Sequence, residues 1–309
     1  MGYYIGIEGG GTKTAAMLGG SRKEIIDATL VGATNYHSVG LEKTGEEISR
    51  ILSFFKDENN VEIEEIRGIC FGGAGVNCSE DERQIRRLFD SLGYKGKLRV
   101  CNDSVVALAG ANGCLEGAIL ISGTGSIAYG VDVNGESVRV GGWGHIIDDA
   151  GSGYAIAIDC LKKIVRGYDG RGQKTLLWDR VKEKLDISHQ EKLISFIYNT
   201  KTQKQHIAEL ATCVLELYGS DYEAGSIINS AIEGLCEMVT ALSKRMQLEE
   251  FSLGLGGSLL LKSETYRKLF EEAIKEKLPK VNTHLPYKDA VYGALVLAWE
   301  LGSERGREL

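Results

Sequence analysis

The sequence predicts an α/β protein made of two related domains, on three observations. Short apolar strands alternate with amphipathic helical stretches along its 309 residues. Two strand–glycine turn–strand hairpins, one opening at Tyr3 and one at Ala118, each lead into helices and then into a strand that ends in Gly-Gly. The chain is also longer than one core usually fills, which predicts one large or two medium domains. The glycine content sharpens the second observation. There are 40 Gly against 2 Pro in a chain that is otherwise ordinary, 43% hydrophobic and 26% charged. Such a chain turns with positive φ, or brings its backbone close to something.

The same numbers exclude several classes of function. With 36 Lys+Arg against 43 Asp+Glu the net charge is −7, and no basic run marks a nucleic-acid partner. No stretch of 18 apolar residues exists, and the longest candidate, 290–301, is short and interrupted, so no membrane partner is expected. The N-terminus reads straight into a strand without a signal peptide, and Gly6 stands where myristoylation wants Ser or Thr. Seven Cys without any C-x-x-C spacing give neither a disulfide framework nor a zinc site. A reduced, cytoplasmic protein fits.

In the first half, 3–7 reads as a buried strand that runs into Glu8-Gly9-Gly10-Gly11-Thr12-Lys13-Thr14 and returns through 15–18. A helix over 41–56 places Ile48, Ile51, Leu52 and Phe55 on one face. The strand 66–71 ends in Gly72-Gly73-Ala74-Gly75, and Ser79 with Glu82 predicts a capping box for the next helix. A short strand, 98–101, puts Asn102-Asp103-Ser104 at its carboxyl end before a helix of small residues, 105–111.

The plan then repeats. Strand 118–121, the turn Ser122-Gly123-Thr124-Gly125-Ser126 and strand 127–131 are followed by an Asn134-Gly135 hairpin and a returning strand, 137–140. From 154 to 247 the chain reads as mainly helical, and strand 251–255 ends at Gly256-Gly257-Ser258. A helix spans 263–277. The last helix, 288–301, carries Ala290, Gly293, Ala294 and Ala298 on one side, with a frayed tail from 302 to 309. These repeats predict domains over 1–115 and 116–287, with the segment 288–309 joining the first.

The glycine turns present consecutive backbone N–H groups without Cβ obstruction, a concavity that holds anions such as phosphate. Thr12 and Thr14 add hydroxyls, Lys13 adds charge, and Gly123-Thr124-Gly125-Ser126 repeats the device. Two such turns facing each other would grip one nucleotide. The competing reading is a pair of plain tight hairpins. A Walker A loop is excluded because neither turn has the Gly-Lys-Ser/Thr ending or a helix behind it. The Gly-x-Gly-x-x-Ala match at 123–128 is excluded as a dinucleotide site because a strand follows, not a helix.

Asp103 is the candidate general base, with helix N-cap as its alternative. Glu8 is placed to hold Mg2+ through water, or is a turn residue. Asn35 would bind sugar hydroxyls or shape a turn. In Gly141-Gly142-Trp143-Gly144-His145, with Asp148-Asp149 downstream, Trp143 reads as a sugar platform or a core residue, and His145 as a base or a structural histidine. Gly256-Gly257-Ser258 would let an adenine ring approach the backbone, or cap a helix.

Taken in order, these motifs resemble the sugar kinase–Hsp70–actin superfamily, and within it the BadF/BadG/BcrA/BcrD-type ATPase family and its N-acetylglucosamine kinase branch. The likeness rests on Glu8–Thr14, Gly32-Ala33-Thr34-Asn35, Asn102-Asp103, 120–126, the Gly-Gly-Trp-Gly-His loop with Asp149, Gly256-Gly257-Ser258 and 289–294, spanning nearly the whole chain. It implies two ribonuclease H-like (actin-like ATPase) domains with an interdomain cleft, and an ATP- and Mg2+-dependent kinase. The acceptor would be the 6-hydroxyl of N-acetylglucosamine or glucosamine.

By the resemblance, Thr12 and Thr124 contact the ATP phosphates beside Gly10, Gly11, Lys13, Gly123 and Gly125, while Gly257 and Ser258 form the adenosine motif. Asp103 is the base; Asn35, Ser126, Gly142, Trp143, Gly144 and Asp149 contact the sugar; Glu8 serves the metal. Ile127 stands where a vertebrate N-acetylglucosamine kinase has a sugar-contacting Asn, which keeps glucosamine open. The expected assembly is a homodimer. The rival within the superfamily is an ATPase that activates a dehydratase or reductase through a dimer-bridging iron–sulfur cluster; it needs suitably placed Cys at the subunit interface, a role the sequence leaves open to Cys114 and Cys160. A sugar-sensing regulator would carry DNA-binding helices before the first strand, and none is read there.

Overall fold

The computed structural model describes residues 2–302; the tail expected to fray lies, past Gly302, outside them. The chain divides into two compact units, one of Met1–Gly117 with Pro286–Leu309, the other of Ala118–Leu285.

The first unit begins with β1 (Tyr3–Gly9), β2 (Thr14–Gly20) and β3 (Ile25–Val31), then α1 (Tyr36–Val39) and α2 (Leu41–Asn59). It continues through β4 (Ile66–Gly73), α3 (Ser79–Ser91), β5 (Lys97–Asn102) and α4 (Asp103–Asn112). The sheet order is β3-β2-β1-β4-β5, with β2 antiparallel to both its neighbours and β1, β4 and β5 parallel. β1 and β4 read as near-continuous apolar runs because they are covered on both faces. One face packs Ile5, Ile7 and Phe71 against Ile48, Ile51 and Phe55 of α2 and Ile85 and Phe89 of α3. Burying each such side chain contributes about 1.5–3 kcal/mol.

The capping box of α3 lies one residue earlier than the sequence suggests. Cys78 is the N-cap, and Asp81 rather than Glu82 reaches back, its Oδ2 accepting from the amides of Asn77 (2.7 Å) and Cys78 (2.9 Å). Asp81 wins because its buried carboxylate has further donors to satisfy, the Tyr36 hydroxyl and His37 Nε2, whereas Glu82 is partly exposed.

The second unit repeats the strand order. It has β6 (Ala118–Ser122), β7 (Ser126–Val131) and β8 (Ser137–Gly141), followed by α5 (Gly153–Tyr168). Four short helices come next: α6 (Leu177–Leu185), α7 (Lys192–Ile197), α8 (Lys204–Ala208) and α9 (Ala211–Glu216). Then come α10 (Tyr222–Met246), β9 (Ser252–Gly256), α11 (Ser258–Lys262), α12 (Glu264–Lys277) and β10 (Asn282–His284). The sheet reads β8-β7-β6-β9-β10, the same alternation of antiparallel and parallel pairs as in the first unit. β10 has three residues, too few for any periodicity to register in sequence.

α13 (Ala290–Gly302) packs against α4 and β1 of the first unit. Its small-residue side is what permits this. An ideal Cβ on Gly293 would stand 2.0 Å from the Val106 carbonyl oxygen, and one on Gly6 2.2 Å from the Leu295 nitrogen. No helix among the described residues is long and apolar enough to cross a membrane.

Candidate active site

In the first unit the carboxyl ends of β1 and β4 and the loop after β3 are tied together through the glycine turn. Gly9 O accepts from Ala74 N (2.8 Å), and Gly10 O accepts from the amides of Thr34 (3.2 Å) and Asn35 (3.3 Å). The Thr14 and Thr34 hydroxyls meet at 2.8 Å in the interior. The turn closes on itself by Gly10 N donating to Lys13 O at 3.0 Å, which leaves Gly11, Thr12 and Lys13 exposed at its tip. None of Gly9, Gly10 and Gly11 takes a positive φ. Close approach explains Gly9, whose ideal Cβ would meet Thr34 Oγ1 at 2.4 Å, while Gly11 borders open space.

Asn35 sits at the N-cap of α1 but its side chain makes no capping bond. Its Oδ1 is buried without a hydrogen-bond partner among the described residues. Leaving a buried acceptor unmet costs about 1–3 kcal/mol, so the atom is suited to a ligand hydroxyl. The flanking Tyr36 hydroxyl and His37 Nε2 both bond Asp81, and this anchors the short helix.

Asp103 is not the cap of α4. Asn102 takes that role, its Oδ1 accepting from Ser104 N (3.0 Å) and Ser104 Oγ (2.6 Å). Asp103, the first helical residue, keeps its carboxylate for other work. Burial pushes that carboxyl above the usual carboxylate range, opposed by the amides of Ser104 and of Asp103 itself. Glu8, at the end of β1, is likewise pushed up, first by burial, then by the charge of Asp103; Lys13 pulls it down and Asp289 adds to the rise. Three carboxylates therefore share one negative field. Asp289, which caps α13 through Tyr292 N (3.1 Å), opens the 289–294 motif, but nothing local in the sequence places its charge beside Glu8.

In the second unit Gly123 N donates to Gly125 O (2.9 Å) and closes a turn between Ser122 and Ser126. The start of α5 is bonded to that turn, Gly153 N to Gly123 O at 2.7 Å and Tyr154 N to Thr124 O at 3.3 Å. The hydroxyls of Ser122 and Ser126 donate to Gly151 O and Ala150 O, each at 2.7 Å, so Ser126 is first a buried strut of the loop. Asp149 is buried, has φ +72°, and pairs with Lys204 Nζ at 2.8 Å. Gly257 has φ +84° and passes so close to β6 that a Cβ would stand 2.3 Å from Ser122 O.

Beside this turn lies a cavity of about 500 Å3, lined by Gly123, Thr124, Gln205, Glu209, Ser258 and Lys262 among others. That brings the Gly123-Thr124-Gly125 turn and Ser258 of the Gly-Gly-Ser motif together. Gln205, Glu209 and Lys262 lie outside every motif of the sequence, and only the packing of the helices brings them to the turn. In the Gly-Gly-Trp-Gly-His loop, Gly142 (φ +70°) and Gly144 (φ +91°) are left-handed, and Ile127 lies under Gly142. Trp143 is 63% exposed, which overturns the core alternative, and the Arg139 guanidinium stands 4.5 Å from its ring. His145 meets Tyr154 edge-on at 4.7 Å.

Comparison with known proteins gives a consistent picture. A model of the BadF/BadG/BcrA/BcrD ATPase family matches residues 5–298. An N-acetylmuramic acid/N-acetylglucosamine kinase of Clostridium acetobutylicum is 35% identical over 305 residues, 96% of this chain and 98% of that one. An N-acetyl-D-glucosamine kinase of Dictyostelium discoideum is 31% identical over 310 residues, 96% of this chain and 97% of that one. Among solved structures, a protein of Chromobacterium violaceum assigned as an N-acetylglucosamine kinase has a TM-score of 0.77 at 25% identity, covering 96% of this chain and 99% of its own.

Proposed function

The chain belongs to the BadF/BadG/BcrA/BcrD ATPase family, and from that premise we propose that it is a sugar kinase transferring the γ-phosphoryl group of ATP to the 6-hydroxyl of N-acetylglucosamine. Asp103 carries this reading, as a half-buried carboxylate at a strand end that caps nothing and is pushed up by burial. A base so placed accepts the hydroxyl proton as the sugar oxygen bonds to the γ-phosphorus and the bond to the β,γ-bridging oxygen breaks, releasing ADP.

The other roles follow from what each residue has free. The buried, unpartnered Oδ1 of Asn35 accepts from a sugar hydroxyl. Exposed Trp143 offers an apolar face to the pyranose ring. The cavity at Ser258 takes the adenosine, and the turns at Gly10-Gly11-Thr12-Lys13 and Gly123-Thr124-Gly125 take phosphate. N-acetylglucosamine is preferred over glucosamine because Asp149 is already neutralised by Lys204 and Ile127 lies under Gly142, an apolar floor suited to an acetyl methyl. Ser126, Gly142, Gly144 and Asp149 shape that pocket.

Glu8, raised by burial and by the nearby charges of Asp103 and Asp289, is the carboxylate that suits Mg2+, a hard cation whose charge would offset theirs. Glu8 would hold it through water; when bound, it neutralises phosphate charge. Free thiols at all seven cysteines fit a reducing, cytoplasmic setting, and the same reading takes the enzyme as a homodimer. The activator alternative fits less well, since Cys160 is fully buried in the core of its unit and cannot reach a bridging cluster.

A coupled ADP-release assay over hexoses and hexosamines tests the reading. N-acetylglucosamine should give the highest kcat/KM and Asp103→Asn should remove turnover while ATP binding persists. Equal turnover in that variant, or no sugar-dependent ADP release in the wild type, refutes it.

A further inference from the structure

The two glycine turns differ in where their positive charge comes from. The first carries Lys13 within its own sequence, whereas Gly123-Thr124-Gly125 holds no basic residue. Nor does the helix behind the second turn supply what is missing, because the first amides of α5 are bonded to the carbonyls of Gly123 and Thr124. Lys204, the first residue of α8, reaches this turn from far along the chain. An ideal Cβ on Gly125 would stand 3.2 Å from Lys204 Nζ and 3.0 Å from Asp149 Oδ2, so the ion pair lies directly against the turn at residue 125. Asp149 holds the ammonium at 2.8 Å. Because a lysine ammonium has three donors, this pairing leaves others for a ligand.

We propose that Lys204 contacts the terminal phosphate of the bound nucleotide, an inference that rests on the ATP reading above. The nucleoside cavity opens at the Gly123–Thr124 end of the turn, and Lys204 stands at the Gly125 end. A nucleotide seated in the cavity and running along the turn brings its last phosphate to Lys204. There the ammonium balances the charge of the transferring phosphoryl group, and Asp149 acts as the positioning residue that spares Lys204 the entropy of a free side chain.

Calorimetric titration with ADP and with the non-hydrolysable β,γ-imido analogue of ATP tests this. Lys204→Met should weaken the analogue by about 10-fold or more, the size of one charge-assisted hydrogen bond, and leave ADP nearly unchanged. It should also lower kcat by about 100-fold, and Lys204→Arg should recover part of both. A neutralised lysine leaves Asp149 buried and unpaired, so if Lys204→Met does not fold, the double variant with Asp149→Asn carries the same expected contrast. Equal weakening of both nucleotides, or of neither, overturns the assignment of Lys204. A wild type that binds neither nucleotide overturns the ATP reading instead.

Discussion

The two units share one strand order but satisfy their polar groups in opposite ways. In the second unit the groups around the glycine turn are already paired: Ser122 and Ser126 with backbone carbonyls, Asp149 with Lys204, and the amides of Gly153 and Tyr154 with the turn itself. In the first unit the turn's backbone and the Thr14 and Thr34 hydroxyls are paired too, but three side chains beside it are not settled in this way. Glu8 and Asp103 are both pushed toward protonation, and Asn35 Oδ1 has no partner. A duplicated scaffold has thus kept one copy preorganised for binding and one copy under electrostatic tension suited to proton transfer.

Neutralising Asp103 is the most direct way to break that contrast. Asp103→Asn should lower kcat by about 100- to 10,000-fold, the usual worth of a general base. The same change should raise thermal stability. A carboxyl whose folded pKa lies above its unfolded value costs the folded state stability as pH rises through that window, and the full cost is present at neutral pH. An amide at 103 removes it. A variant that is inactive but less heat-stable than the wild type would show that Asp103 is a structural residue.

Glycine substitutions sharpen the contrast next. Gly257→Ala in the second unit forces an L side chain to φ +84° and drives its Cβ to within 2.3 Å of the Ser122 carbonyl. Strain and overpacking together should cost about 2–5 kcal/mol, with ATP binding weakened as the cavity wall shifts. Gly11→Ala in the first unit meets nothing within 4 Å and has no positive φ to strain. Its stability should change by less than about 0.5 kcal/mol in denaturant titration. Similar losses at the two positions would mean that the glycine at the tip of the first turn is as tightly constrained as the one packed against β6.

The legible part of this molecule was what repeats or punctuates. Strand–turn–strand order, the apolar runs of β1 and β6, and Asp103 after a short strand all stand out because glycine clusters mark strand ends and apolar periodicity marks cores. Long-range partners were not legible. Lys204 and Gln205 come to the second turn only because α8 folds onto α5, and Asp289 reaches the field of Glu8 only because α13 packs on β1. Capping was legible to within one residue. Local pattern cannot tell Ser79/Glu82 from Cys78/Asp81 when the deciding partners, Tyr36 and His37, lie more than forty positions earlier. The same holds at Asp103, where cap and base look identical until Asn102 is seen to do the capping.

A smaller effect separates two carboxylates inside the first unit. Asp81 is the satisfied counterpart of Asp103. Burial raises its carboxyl, but the Tyr36 hydroxyl, the amides of Asn77 and Cys78 and the Cys78 thiol outweigh that and hold it well below the usual range. A depressed folded pKa means that the stabilisation is complete above the unfolded value of about 3.9 and is lost only as pH falls through the folded one. Asp81→Asn should therefore cost about 1–2 kcal/mol at neutral pH, the worth of charged hydrogen bonds partly replaced by neutral ones. The deficit should shrink in strong acid, where the wild-type carboxylate is itself protonated. Since α1 is anchored through Tyr36 and His37, the same variant should raise the sugar KM through Asn35 and leave the ATP KM unchanged. Equal changes in both KM values would mean that Asp81 supports the fold at large and not the sugar-facing loop.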